Sequence, residues 1–301
     1  MSLACPEDGA GPGSNPAAGG ASVRRALALG KLAPIALPAL VDRAGLATRV
    51  ERKYLVSATD AARLCGLLPP EARVLEIGGS RAFRYASAYF DTPARDIYLA
   101  TAYRRGRRFK VRIRQYLDSE LAYVEVKARR GRFTTKDRVP SGGADSLTAA
   151  AAAHLAGYLR AARVFDLDVA ALAPALRTRY RRTTVYLPES GSRVTFDTEL
   201  SFSTAACDRR GRTIELPELV VVETKTAGPP SSLDRLLWSL GIRPVKFSKF
   251  GTGLAALHPE LPHTRWVRSM RNELAGSVRS AVLRVGPPPS GRMSPSAPAR
   301  A

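Results

Sequence analysis

The sequence predicts an α+β fold: an antiparallel sheet or barrel with helices packed outside it. Three observations predict this class. Stretches with period-two alternation or β-branched and aromatic enrichment recur at 49–56, 82–90, 107–116, 121–128, 133–139, 178–187, 192–199 and 218–225; successive side chains of a strand point to opposite faces. Helical patterns are interspersed, as at the Ala-rich Ser146–Phe165 and the amphipathic Leu233–Leu240, which Ser231 or Ser232 can cap. Finally, strand after strand carries one charged face and one apolar face, the pattern of a sheet covered on one side.

The elements follow in order. Residues 1–22 are Gly, Ala, Pro and Ser with almost no large apolar side chain, so 1–26 is expected to be a disordered tail. Leu27–Leu46 is apolar enough to pack, with a short helix after Pro38. The globular unit is expected over 27–258. After His258 the composition changes: 264–285 reads as a basic amphipathic helix and 286–301 as a disordered tail. Such a helix either binds acidic lipid or a partner, or presents a solvated face.

The chain of 301 residues carries a net charge of +21 and a pI near 10.7, which points to a polyanionic partner. Part of that excess is compositional, because of the 47 basic residues 39 are Arg and 8 are Lys. Cys5, Cys65 and Cys207 are scattered, without the spacing of a zinc site or a disulfide framework, and the reading is a reducing, cytoplasmic setting. The N-terminus lacks the basic and apolar regions of a signal peptide, and no stretch reaches the length of a membrane span, so a soluble protein is expected.

In a chain driven towards Arg, a Lys that persists is informative, because a compact ammonium and a planar guanidinium are not interchangeable at a specific site. Seven of the eight lysines, Lys53, Lys110, Lys127, Lys136, Lys225, Lys246 and Lys249, lie in or beside strands or in "VKFSKF". Lys110, Arg112 and Arg114 share a face opposite Phe109, Val111 and Ile113. Glu125 and Lys127 share one, as do Glu223 and Lys225, Arg193, Thr195 and Asp197, and Arg49, Glu51 and Lys53. Two readings stay open: charged faces in water, or a barrel with its charged face inward. In the second, cations about 6 Å apart repel by roughly 3 kcal/mol at an effective dielectric of 20, and a linear phosphate chain supplies the counter-charge. The single carboxylates among them are then hard ligands for Mg²⁺ or Mn²⁺.

The segments "TRVERKYLV", "YFDT" (Tyr89–Thr92), "KVRIRQY", "VEVK", "KDR" (Lys136–Arg138), "YRR" (Tyr180–Arg182), "RVTFDTEL", "VVETK" and "KFSKFGTG" occur in the order seen in the VTC domain. Over residues 33–257 the chain resembles that polyphosphate polymerase domain, a branch of the triphosphate tunnel metalloenzymes. The resemblance implies an eight-stranded antiparallel β-barrel tunnel and transfer of the γ-phosphoryl group of ATP to inorganic polyphosphate with Mn²⁺ or Mg²⁺. It implies catalytic roles for Lys53, Arg112, Arg114, Lys127, Arg182 and Arg193. Lys110, Lys136, Lys225, Lys246 and Lys249 are expected to bind substrate, and Glu223 and Glu51 to hold metal. A membrane-protein partner is compatible with it. Hydrolytic relatives open with an ExExK strand; here Arg49 replaces the first acid, which tilts the reading away from hydrolysis.

Phosphoryl transfer needs in-line placement and charge stabilisation rather than covalent help, and a phosphate acceptor needs no general base. His154, His258 and His263 all lie outside the strands, with His154 expected to be structural, and Asp91 reads as a strand-end turn residue. A tripolyphosphatase or organic triphosphatase with the same tunnel, and a non-catalytic polyanion-binding protein, are the competing functions. A nucleic-acid partner is not expected, because Phe109, Tyr123 and Phe196 do not form a stacking row.

Overall fold

Alternation of apolar and charged side chains produces twelve strands in a single sheet in the computed structural model, which describes residues 27, 29–45, 49–131, 133–142, 146–163, 167–205, 211–266 and the backbone of 284–285. In chain order these are β1 (Ala33–Ile35), β2 (Val50–Ser57), β3 (Arg73–Leu75), β4 (Phe83–Asp91), β5 (Arg107–Tyr116), β6 (Leu121–Arg130), β7 (Phe133–Pro140), β8 (Ala173–Leu187), β9 (Ser192–Thr204), β10 (Arg212–Leu216), β11 (Leu219–Thr226) and the two-residue β12 (Arg284–Val285). All pairings are antiparallel except that of β1 with β3.

The expected closed eight-stranded barrel is corrected on two counts. The sheet has more strands, and among the described residues no ladder joins β7 to β2. Eight strands do run as one neighbouring series, β2-β11-β9-β8-β4-β5-β6-β7. In a flat sheet its ends would stand about 34 Å apart, seven strand spacings of about 4.8 Å. Instead Lys136 of β7 lies 3.1 Å from Glu51 of β2. The series is therefore rolled into a trough whose seam is bridged by side chains. β-Bulges in the β8 pairings, at Tyr89/Phe90 and Arg179/Arg181, add local bend.

Among the described residues the helices are α1 (Leu37–Ala44), α2 (Ala58–Gly66), α3 (Asp96–Ala102), α4 (Ala149–Ala161), α5 (Ser232–Ser239) and α6 (Lys249–Leu257). Helices α2, α4 and α5 cover the outer, apolar face, whereas α6 lies against the inner face, with Gly253 on Leu176 and Phe202 and Phe250 beside Lys110. Over β5 and β6, Phe109, Val111, Ile113, Val124 and Val126 pack in one cluster with Ala151, Leu155 and Leu159 of α4. On the other half, Tyr54, Val56, Val194, Phe196, Val220 and Val222 pack with Ala61 and Leu64 of α2 and Leu233 and Leu237 of α5. Ser231 starts α5 through a capping box with Asp234. Asp234, fully buried, also accepts from Tyr54 Oη at 2.6 Å and Thr224 Oγ1 at 2.7 Å, tying the helix to β2 and β11.

Asp91 is a turn residue, as its place at the end of "YFD" suggests. Its buried carboxylate accepts from the backbone N–H groups of Thr92, Ile97 and Tyr98 and so holds the start of α3. His154 likewise serves structure: it meets Asp137 Oδ2 at 2.7 Å, joining α4 to β7.

Helix α6 carries two glycines because its neighbours leave no room for a side chain. A Cβ at Gly251 would meet the Trp266 ring at 2.1 Å, and one at Gly253 would meet Phe202 at 2.7 Å. Trp266 stands in the Thr264–Trp266 3₁₀ turn and is 1% exposed, so the packed unit continues past residue 258. The rest of the expected basic helix up to 283, the N-terminal tail 1–26 and the tail 286–301 lie outside the described residues. No helix among the described residues is long and apolar enough to cross a membrane.

Trp266→Ala should cost roughly 3–5 kcal/mol of unfolding free energy by the usual cost of emptying a large buried aromatic site. Urea denaturation monitored by far-UV circular dichroism checks this, and a loss below about 1 kcal/mol would contradict core membership for the turn.

Candidate active site

Register places the charged side chains of the trough side by side on its inner face. Lys110, Lys127 and Lys136 form one row across β5, β6 and β7; Arg112, Glu125 and Arg138 form the next. On β2 and β11, Lys53 stands opposite Glu223, and Glu51 opposite Lys225. β9 sets Arg193 beside Lys225, and β8 sets Arg182 beside Asp197. Lys249 enters from the first turn of α6 and pairs with the same Asp197.

Each carboxylate holds more than one cation. Arg112 donates to Glu125 Oε2 at 2.7 and 2.9 Å and to Tyr89 Oη at 2.8 Å, while Arg114 lies 3.6 Å from the same carboxylate. Arg182 makes a two-pronged bond to Asp197 at 2.6 and 2.8 Å, the fork geometry that guanidinium favours. Glu223 lies 3.6 Å from Lys53 and 3.2 Å from Lys225. Glu51 takes Arg49 at 2.9 Å, Lys136 at 3.1 Å and Lys127 at 3.7 Å.

Tyrosines lie under the guanidinium groups. Tyr85 and Tyr180 are stacked with centroids 5.2 Å apart, and Arg182 lies 5.4 Å from the Tyr85 ring and 5.3 Å from the Tyr180 ring. Lys249 Nζ is 4.2 Å from the Tyr180 centroid, and Arg138 is 5.0 Å from that of Tyr123.

Cations outnumber carboxylates on this face, and the electrostatics record the surplus. Burial and the nearby Lys53 and Lys127 push the Lys110 ammonium well below its ordinary value. Burial brings Lys225 down to about 8 although Glu223 opposes the shift. Burial, then Arg49 and Arg182, lowers Arg193. Burial works against the Glu223 carboxylate too, but Lys53 and Lys225 outweigh it and hold the group well below the usual carboxylate range.

Several buried polar atoms on the inner face have no hydrogen-bond partner among the described residues: Arg114 Nε, Arg193 Nε, Thr195 Oγ1, Ser87 Oγ and Thr178 Oγ1. An unmade buried hydrogen bond costs about 1–3 kcal/mol, more for a charged group. Unused donors among surplus cations fit the oxygens of a condensed phosphate.

The same face offers a metal ion few protein ligands. Among the described residues no three His, Cys, Asp or Glu side chains are grouped to hold an ion. Glu51 and Glu223 nevertheless sit diagonally on paired strands, about 7 Å apart at that register. Mg²⁺ commonly takes one or two carboxylates and completes its shell with phosphate oxygens and water. The pair fits that mode and not an all-protein cage.

The structure gathers Lys53, Arg112, Arg114, Lys127, Arg182, Arg193, Lys110, Lys136, Lys225, Lys249, Glu223 and Glu51 on this face or its rim. Lys246 is exposed on the segment just before α6, three residues from Lys249. Ser248 takes the nearer place and accepts from Lys110 Nζ at 2.6 Å. Sequence reasoning gave Asp197 and Glu125 only the general role of single carboxylates among cations, and gave Arg138, Tyr85 and Tyr180 none. For Asp197 the signal was available, since it shares a strand face with Arg193 and Thr195. Nothing local distinguishes Tyr85.

The profile of the family described as "VTC domain" matches residues 48–258. No curated protein matches the chain. Among solved structures, a Bacillus halodurans protein named as a candidate adenylate cyclase is 15% identical, with 66% of this chain and 93% of that one covered and a TM-score of 0.41. The Hippeastrum adenylyl cyclase candidate HpAC1, described as having a dominant triphosphatase activity, is 15% identical, with coverage of 72% and 100% and a TM-score of 0.40. A Pyrococcus horikoshii OT3 protein is 13% identical, with coverage of 69% and 99% and a TM-score of 0.38.

Burial opposes the Asp197 charge, but Arg182 and Lys249 hold its carboxyl at about 2, below its ordinary 3.8. A carboxyl depressed on folding adds stability above its unfolded value, and that contribution drains as pH falls through the folded value. Asp197→Asn should therefore lose roughly 3–5 kcal/mol at pH 7, the cost of stranding two buried cations. It should also flatten the stability profile between pH 4 and 2. Urea titrations across that window test both, and an unchanged acid limb would contradict the assignment.

Proposed function

The chain belongs to the VTC domain family, and from that premise we propose that it is an inorganic polyphosphate polymerase that elongates a chain with the γ-phosphoryl group of ATP. The observation that carries this reading is the surplus of inward cations with unused donors, which suits a ligand bearing a charge on every repeating unit. In the proposed step a terminal oxygen of the chain forms a bond to Pγ, the bond between Pγ and the β,γ-bridging oxygen breaks, and ADP leaves. The chain gains one phosphoryl group.

Arg112, Arg114, Arg182 and Arg193 orient the phosphoryl oxygens in this scheme, with the Tyr85–Tyr180 stack keeping the Arg182 plane in place. Lys53, Lys225 and Lys249 neutralise charge building on the leaving diphosphate, and Lys110, Lys127 and Lys136 bind the chain. A divalent cation, Mn²⁺ or Mg²⁺, held by Glu223 and Glu51 would add charge neutralisation at the phosphoryl oxygens. The attacking oxygen is already anionic, so no base is required. Consistent with this, His154 meets Asp137, His258 meets Glu260 and His263 meets the Leu261 carbonyl, all away from the inner charges.

Hydrolysis of tripolyphosphate by the same face is the second reading. Arg49 bears on the choice, because its guanidinium lies 2.9 Å from Glu51 and occupies the place where hydrolytic relatives carry another acid.

Purified protein incubated with ATP and Mn²⁺ should accumulate long-chain polyphosphate resolvable on a gel. Arg114→Ala and Arg193→Ala should each reduce the rate by about 100-fold or more, as loss of a charge-stabilising contact in phosphoryl or acyl transfer does. Phosphate release without chain growth would replace this reading by the hydrolytic one. Polyanion retention without turnover would leave a binding protein.

A further inference from the structure

The inner cation row of β5 and β6 does not end at Lys110 and Lys127. Residues two apart share a strand face, and the register that pairs Lys110 with Lys127 pairs Arg108 with Arg129 one step further out. Two turns meet there and are fastened together. Gly131 N–H donates to the Gly106 carbonyl at 2.9 Å, Arg108 Nη1 to the Arg105 carbonyl at 2.6 Å, and Arg129 Nε to the Gly131 carbonyl at 2.9 Å. Arg104, beside them, adopts a left-handed backbone with φ of 54°, uncommon for a residue with a side chain.

Arg265 joins this group from the 3₁₀ turn that Trp266 anchors in the core. Its charge lowers Lys110 as well as Arg108. Burial lowers Arg265, and Arg104 and Arg129 lower it further. Among the described residues no carboxylate pairs with Arg104, Arg108, Arg129 or Arg265. Elsewhere on the inner face every carboxylate gathers two or three cations, so this end is built differently: four arginines, two of them (Arg108 and Arg129) held by main-chain carbonyls, with no carboxylate paired to them among the described residues.

We propose that Arg104, Arg108, Arg129 and Arg265 form a track along which a polyphosphate chain continues beyond the inner face, so that long chains bind more tightly than the short segment the inner face holds. The proposal rests on the polyphosphate reading of that face and extends it to chain-length preference. A flexible single chain can follow a row that shares a face and a direction with the lysines behind it. Phe133, 67% exposed, lies on the opposite face of β7 from Lys136 and is not part of the row.

The test compares inorganic tripolyphosphate with long-chain polyphosphate by calorimetric titration at two salt concentrations. In the full chain carrying Arg129→Gln with Arg265→Gln, long-chain affinity should fall by about tenfold, the yield of two partly exposed ion pairs. The salt dependence should become shallower by about 1.4 in log–log slope, about 0.7 for each of the two lost contacts, while tripolyphosphate affinity stays within about twofold. Arg104→Gln alone, in an exposed turn, should shift long-chain binding in the same direction by a smaller factor. Equal losses for both ligands, or no loss for either, would overturn the track. Arginine-dependent binding to vesicles of anionic lipid with long-chain affinity unchanged would overturn it in favour of a membrane surface. Failure of the unaltered protein to bind either phosphate ligand would overturn instead the polyphosphate reading beneath it.

Discussion

Like charges held close together on the inside of a curled sheet set the terms for the rest of the molecule. Lys110, Lys127 and Lys136 face one another across neighbouring strands, where Cβ atoms stand about 5 Å apart and like charges destabilise pairing. At an effective dielectric near 20 a pair at that separation repels by about 3 kcal/mol. The cations themselves do nothing to offset this. What does so is the outer face, where two large apolar clusters join the sheet to its helices, together with carboxylates placed between the cations.

Those carboxylates act as spacers as well as partners. Asp197 ties α6 to β8, Glu223 ties β2 to its own strand's Lys225, and Glu51 bridges the seam that backbone hydrogen bonds leave open. A phosphate chain entering the trough offers the same cations a denser set of oxygens. Under the proposed function, selectivity for condensed phosphate over a lone anion would follow from geometry, since a single phosphate satisfies only a few of the unused donors. The orphaned Arg114 and Arg193 Nε atoms arise on different strands, and a chain of linked groups suits both at once.

Much of this was legible in the sequence. All eight strand-like stretches became strands with boundaries shifted by a few residues, except at β8 and β9, which extend further because their added residues, such as Leu176 and Phe202, pack under α6. Periodicity reports a face, so the charged side chains were found together. It does not report curvature, and so neither the open seam nor the extra strands could be read. The short β1, β3 and β10 are set by tertiary pairing more than by pattern. Helix α6 was hidden by Gly251 and Gly253, which lower helix propensity but are required by Trp266 and Phe202. Lys246 was assigned to the site by motif alone.

Thermal unfolding with inorganic tripolyphosphate tests the inward cluster most directly, because a ligand that binds only the folded state stabilises it in proportion to the logarithm of its concentration. Tm should rise with tripolyphosphate concentration and by more than in sodium chloride of equal ionic strength. Cations pointing to solvent would respond to the two salts alike, and an equal shift would contradict the claim that they converge on one polyanion.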